Sequence, residues 1–140
     1  MADDDLDDQY LVRRAIEEIN IGHDLQTVNN GSQLLDRLLC KGHYSNTPVK
    51  RPDCILLDLN MPLLDGFQAL NLIKANNDIN TIPVYVLSTS RSDQDRERSL
   101  KLGAAAFYVK PTQFKELKEI VQEICSRISI RTSAEQYNPS

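Results

Sequence analysis

The chain has 140 residues, 41% of them hydrophobic and 26% charged, with a formal net charge of −4 and a pI near 5.1. That is the composition of one globular domain with a real core, and its acidic balance speaks against nucleic acid or an anionic membrane as partner. No apolar stretch reaches membrane-spanning length and no signal peptide precedes the acidic start, so a cytoplasmic location is expected.

In chain order, residues 8 to 21 place Leu11, Ala15, Ile16 and Ile19 on one helical face, and Gly22 stops that helix. Leu25 to Val28 is a short strand candidate, and Asn29-Asn30-Gly31-Ser32 turns into a helix carrying Leu34, Leu35, Leu38 and Leu39. A polar loop with Gly42 and Pro48 leads through Pro52 to an apolar run that ends at Asp58. Such a run, bounded by a charge and a proline, reads as a strand buried on both faces. Gly66 to Ala75 reads as a helix, and Pro83 to Leu87 as the next buried strand, ending in Ser88-Thr89-Ser90. Ser92 and Asp93 open a helix that Gly103 closes, and Ala105 to Val109 forms a further strand before Lys110-Pro111. The last helix carries Phe114, Leu117, Ile120, Val121, Ile124 and Ile128 at helical spacing, and a polar tail follows Ile130. Strands alternating with helices predict an α/β fold built on a doubly wound parallel sheet, with one domain over residues 1–130 and a tail over 131–140.

Three successive strands end on Asp58, Ser88 and Lys110, and in a parallel sheet those ends share one edge, where ligand chemistry is done. Each has a plain alternative: a turn or cap aspartate, a turn serine, a solvated lysine. Their convergence is more specific than any one of them. The acid can be a nucleophile or metal ligand, the hydroxyl can donate to a phosphoryl oxygen, and the ammonium can neutralise its charge. Asp3, Asp4, Asp5, Asp7 and Asp8 form an acidic run that would ordinarily be a solvated tail or favour a helix start. Two of these acids beside Asp58 would instead make an oxygen-only pocket for a hard cation such as Mg²⁺. Cys40, Cys54 and Cys125 are scattered, and His23 and His43 are isolated, so neither a disulfide framework nor a zinc site is expected.

The segments ADDDLDDQYLVRRA, CILLDLNMPLLDG, IPVYVLSTS and AAFYVKP resemble the receiver domains of two-component response regulators, from Ala2 to about Ile128. The long loop before the Asp58 strand and the LDLNMP wording look most like the single-domain regulators paired with bacterial phytochromes. The resemblance implies a flavodoxin-like receiver fold and a phosphorelay function. Asp58 would be the phosphoacceptor for a sensor histidine kinase or phosphotransfer protein. Asp3 and Asp4 would be the acidic pair that binds Mg²⁺, with Asp4 the direct ligand and the Asn60 carbonyl completing the site. Ser88 would be the switch hydroxyl, Lys110 the phosphate contact with a cis bond to Pro111, and Phe107 the aromatic switch. Output would pass to a downstream protein partner, since the tail is too short for a DNA-binding domain; homodimerisation is left open.

The family's first strand is an apolar run ahead of the acidic pair, whereas only Met1 and Ala2 precede Asp3. The first central strand is therefore expected to be truncated or missing, with an apolar segment of about five residues belonging before Met1. An internal substitute would be residues 128–132 running up the gap as a strand. Two other functions compete. A haloacid-dehalogenase-type phosphatase also uses a strand-end aspartate, but needs a second aspartate where this chain has Asn60. A receiver-like interaction module without phosphorylation is the other.

Overall fold

The computed structural model describes residues 1–19, 22–46 and 50–136, with side chains described as far as residue 128. Residues 20 and 21 of the expected first helix, the part of the expected loop around Pro48, and the last four tail residues lie outside the described residues.

Helix α1 spans Leu6–Ile19, α2 Gly31–Leu38, and a short 3-10 turn Gly42–Tyr44. Strand β1 (Ile55–Leu57) is followed by α3 (Gly66–Ala75), β2 (Val84–Ser88), α4 (Asp93–Lys101), β3 (Ala106–Val109) and α5 (Phe114–Gln136). The three strands pair in parallel in the order β1-β2-β3, with Leu57 opposite Val86 and Val86 opposite Phe107. Strand periodicity then divides the core. Ile55, Leu57, Val84, Val86 and Phe107 pack with residues of α2 and α3 on one face. Leu56, Tyr85 and Leu87 pack with Val12 and Ala15 of α1 and Leu117, Val121 and Ile124 of α5 on the other. Both faces of the sheet are covered, as the unbroken apolar runs require.

Local signals set the ends of the elements. Asn30, Asp65 and Ser92 cap α2, α3 and α4, and at α3 the Asp65 and Gln68 side chains cap each other's backbone amides. Gly22 takes φ +74°, a left-handed conformation that favours glycine. Gly66 has a different reason to be glycine: a Cβ there would lie 2.3 Å from the Asp58 carbonyl oxygen. The start of α3 thus packs directly on the backbone of Asp58. The last helix continues past Ile130 to Gln136, so residues 128–132 are helical and do not run up the sheet as a strand.

The expected strand at Leu25–Val28 is reduced to one bridge, and the first strand to a remnant, because they were to pair with each other. Ala2 bridges in parallel to both Val28 and Leu57. The Ala2 amide donates to Leu56 O at 2.8 Å, Asp58 N–H to Ala2 O at 3.0 Å, Asp3 N–H to Val28 O at 3.1 Å, and Val28 N–H to Met1 O at 2.9 Å. The Met1 ammonium donates to Gln26 O at 2.8 Å, where the next backbone amide of a strand would stand. The fold is a flavodoxin-like receiver sheet in which the first central strand is cut down to its carboxyl end. Below that remnant lies a cavity of about 530 Å³, lined among others by Leu25, Cys54, Leu56, Val121 and Cys125.

This cavity has the walls of a strand position. An extension of four or five aliphatic residues joined to Met1 should fill it and raise the melting temperature by roughly 10 °C or more, against no rise for a serine-glycine extension of equal length. Equal melting temperatures for the two extensions would show that no strand fits there.

Candidate functional site

The carboxyl edge of the sheet gathers the residues singled out from the sequence. Asp58 follows β1, Ser88 ends β2 and Lys110 follows β3, while the Met1–Asp3 remnant delivers Asp3 beside β1. The Lys110 amide donates to Ser88 O at 2.7 Å, which ties the last two strand ends together. Lys110 Nζ lies 2.8 Å from Asp3 Oδ2 and 3.7 Å from Asp58 Oδ1. The side chains of Asp3, Asp4 and Asp58 each place a carboxylate oxygen within 4.8 Å of the others. Asp3 is 1% and Asp58 5% exposed, whereas Asp4 faces solvent.

The acidic run divides by role. Asp5 accepts the backbone amides of Asp7 and Asp8 at 2.9 and 3.2 Å and so caps α1. Asp7 is exposed in the first turn, where the helix dipole favours a negative charge. Asp8 reaches into the site and accepts a hydrogen bond from Lys110 Nζ at 2.7 Å. Buried Gln9 is a further member that the sequence reading did not single out. Its side-chain amide donates to the Asp3 carbonyl at 2.6 Å and to Asn29 Oδ1 at 2.9 Å, which fixes the backbone that carries Asp3.

Ser88 is fully buried, and its hydroxyl oxygen accepts the Ser90 amide at 3.2 Å. Among the described residues no acceptor takes its proton. Phe107 is 7% exposed and belongs to the core between the sheet and α2 and α3, so the ring stands inward. Asn60 is exposed, and its backbone amide is directed to the Asp58 carboxylate. No described peptide bond is cis, so the Lys110-Pro111 bond is trans and the expected cis form is not found.

Electrostatics follow from three carboxylates sharing one ammonium, with Asp4 close by. Burial raises Asp58 to about 6, and the negative charges of Asp3 and Asp4 add to the rise, against the pull of Lys110 and the Asn60 amide. Burial likewise raises Asp3, with Lys110 opposing it. Burial acts on Lys110 in the opposite sense, but Asp3, Asp8 and Asp58 outweigh it and hold the ammonium charged. Asp3 Oδ2 is buried and, although close to Lys110, makes no hydrogen bond. Buried carboxylate oxygens of Asp3 and Asp58, crowded beside Asp4 and left to share one ammonium, suit a hard divalent cation that binds through oxygen and keeps several waters. Asp3, Asp4 and Asp58 fit Mg²⁺ by that criterion.

The Asp58 shift has a consequence for stability. A carboxyl raised from 3.8 to about 6 on folding favours the folded state fully below about pH 4, and that contribution is lost as pH rises through 6. In metal-free buffer Asp58→Asn should therefore be more stable than the parent at pH 8 by about 1–3 kcal/mol, with the advantage gone by pH 4. Denaturant melts at the two pH values test this; a variant less stable than the parent at pH 8 would contradict the charge crowding.

Comparison with known proteins agrees with this geometry. The family model of the response regulator receiver domain matches residues 1–122. Response regulator Rcp1 of Synechocystis sp. is 36% identical over 124 residues, 89% of this chain and 83% of Rcp1. The crystal structure of the phosphorylated cyanobacterial phytochrome response regulator RcpA superposes with a TM-score of 0.80 at 35% identity, covering 88% of this chain and 86% of RcpA. The Mn²⁺-bound form of Rcp1 superposes with a TM-score of 0.79 at 36% identity, covering 88% and 87% of the two chains. With its acidic cluster at the carboxyl edge of a parallel sheet, the chain belongs to the response regulator receiver domains, close to the phytochrome-associated regulators.

Proposed function

We propose that the chain accepts a phosphoryl group on Asp58 from the phosphohistidine of a sensor histidine kinase or phosphotransfer protein. The observation that carries this reading is the convergence of the Asp3 and Asp58 carboxylates on Lys110 Nζ, 2.8 and 3.7 Å away at the strand ends, with Asp4 beside them. An Asp58 oxygen attacks phosphorus, the new P–O bond forms as the P–N bond breaks, and the imidazole leaves. Asp3, Asp4 and Asp58, with the Asn60 backbone carbonyl, would hold Mg²⁺, which when bound neutralises charge on the transferring group. The Lys110 ammonium supplies a second positive charge, and the Ser88 hydroxyl has a proton to donate to a phosphoryl oxygen. Asn60 stands where a phosphatase of the haloacid dehalogenase type needs a carboxylic acid to protonate its leaving group, so that reading lacks its general acid.

Several of the similar structures are phytochrome response regulators, which makes a phytochrome-type kinase the proposed donor. Among the described residues no helix is long and apolar enough to cross a membrane, and a cytoplasmic setting with a protein as output partner fits the acidic charge. Ser88 and Phe107 are the proposed switch pair. Phe107 already stands inward, so the change on phosphorylation should be a small repacking and not a large swing of the ring.

A small-molecule phosphodonor with Mg²⁺ should add one hydroxylamine-sensitive phosphoryl group per chain, and Asp58→Asn should abolish it. Undiminished labelling of that variant would refute the assignment. A stable phosphoryl mimic should shift the amide resonances of Ser88, Phe107 and α4, and Ser88→Ala should reduce those shifts. Resonances there that ignore the mimic would rule the switch pair out.

A further inference from the structure

The Lys110 ammonium stands where an incoming cation must bind. Its Nζ is 2.8 Å from Asp3 Oδ2 and 3.7 Å from Asp58 Oδ1, and Asp3 and Asp58 are two of the three acids whose oxygens converge. A divalent ion needs the same lone pairs, and two cations on one carboxylate repel each other. Lys110 cannot simply retreat to water, because its side chain is only 12% exposed and a buried ammonium needs an anionic partner. Asp8 is that partner. Its Oδ2 holds Lys110 Nζ at 2.7 Å, it lies outside the convergent triplet, and its backbone is fixed by the Asp5 cap at the start of α1.

We propose that Asp8 is a positioning residue that parks the Lys110 ammonium to one side, so that a divalent cation can enter among Asp3, Asp4 and Asp58. This rests on the cation site proposed above. When the ion takes oxygens from Asp3 and Asp58, Lys110 keeps its full hydrogen bond to Asp8 and gives up only its contacts with the other two acids. Without the Asp8 charge, Lys110 settles onto Asp3 and Asp58, and the ion must displace it. The same parking keeps the ammonium beside the Asp58 carboxylate, ready for a phosphoryl oxygen.

Calorimetric Mg²⁺ titration of the whole chain at pH 8 and low salt tests this with the parent, Asp8→Asn, Lys110→Met and the double variant. Asp8→Asn should weaken Mg²⁺ binding roughly tenfold. In the Lys110→Met background the same change should cost no more than about twofold, because there is no ammonium left to park. Asp8→Glu, which keeps the charge, should bind within about threefold of the parent, and circular dichroism of each variant checks that it is folded. An unchanged affinity in Asp8→Asn overturns the proposal. So does an equal loss in both backgrounds, which would make Asp8 only a distant charge. A parent chain that takes up no Mg²⁺ overturns the cation site itself together with this role for Asp8.

Discussion

Two carboxylates buried side by side at the ends of adjacent parallel strands are the constraint on which the rest of this structure depends. Ionised carboxylates out of water, with a third and a fourth nearby, would repel each other and favour protonation or unfolding. One largely buried ammonium, Lys110, makes the arrangement possible by contacting Asp3, Asp8 and Asp58 together. It does so only because β3 is bound to β2, and β2 to β1, in one register. The packing of the sheet and the charge balance of the site are therefore one problem.

Other features read as support for that arrangement. Gln9 holds the Asp3 carbonyl from α1, the Asp5 cap fixes the turn that carries Asp8, and Gly66 lets α3 close on the backbone of Asp58. The site is pre-organised from below, through backbone bonds and helix starts, while its acidic side faces solvent through Asp4. Such a site stores unfavourable charge in the resting protein, and a cation or a transferred phosphoryl group with its counter-charges can release it. That gives a signalling domain a physical reason to keep a costly acidic cluster.

Backbone pairing at Ala2 is what sets Asp3 beside β1. Three residues carry Asp3 to its place because Ala2 is bonded on both sides, to Val28 and to the β1 end. Underneath lies a cavity of about 530 Å³ bordered by residues of α1, α2, α5 and the sheet. The geometry of the site and the filling of the core are separable here, since backbone hydrogen bonds settle the first and side-chain volume the second.

Much of this was legible in the chain. Apolar runs ending in Asp58, Ser88 and Lys110 determined three strands and their shared edge, and the first two are buried throughout because a strand covered on both faces has no polar alternation. Asn30 with Gly31, Gly66, and Ser92 with Gly103 marked the starts of α2 and α3 and both ends of α4 within a residue or two. Asp8 was read only as one of the acidic run and its contact with Lys110 was missed, although it lies four and seven residues before buried Val12 and Ala15, on the inward face of α1 where an apolar side chain would be expected. That misplaced polarity was the available signal, and the neighbouring acids hid it. Tertiary structure decided the rest. No local pattern could say that Lys110 would meet a residue 102 positions away, that Leu25–Val28 would pair through a single bridge, or that the helix from Phe114 would run on to Gln136. A local pattern specifies which face a residue presents, whereas the partner it finds there depends on how the whole sheet closes.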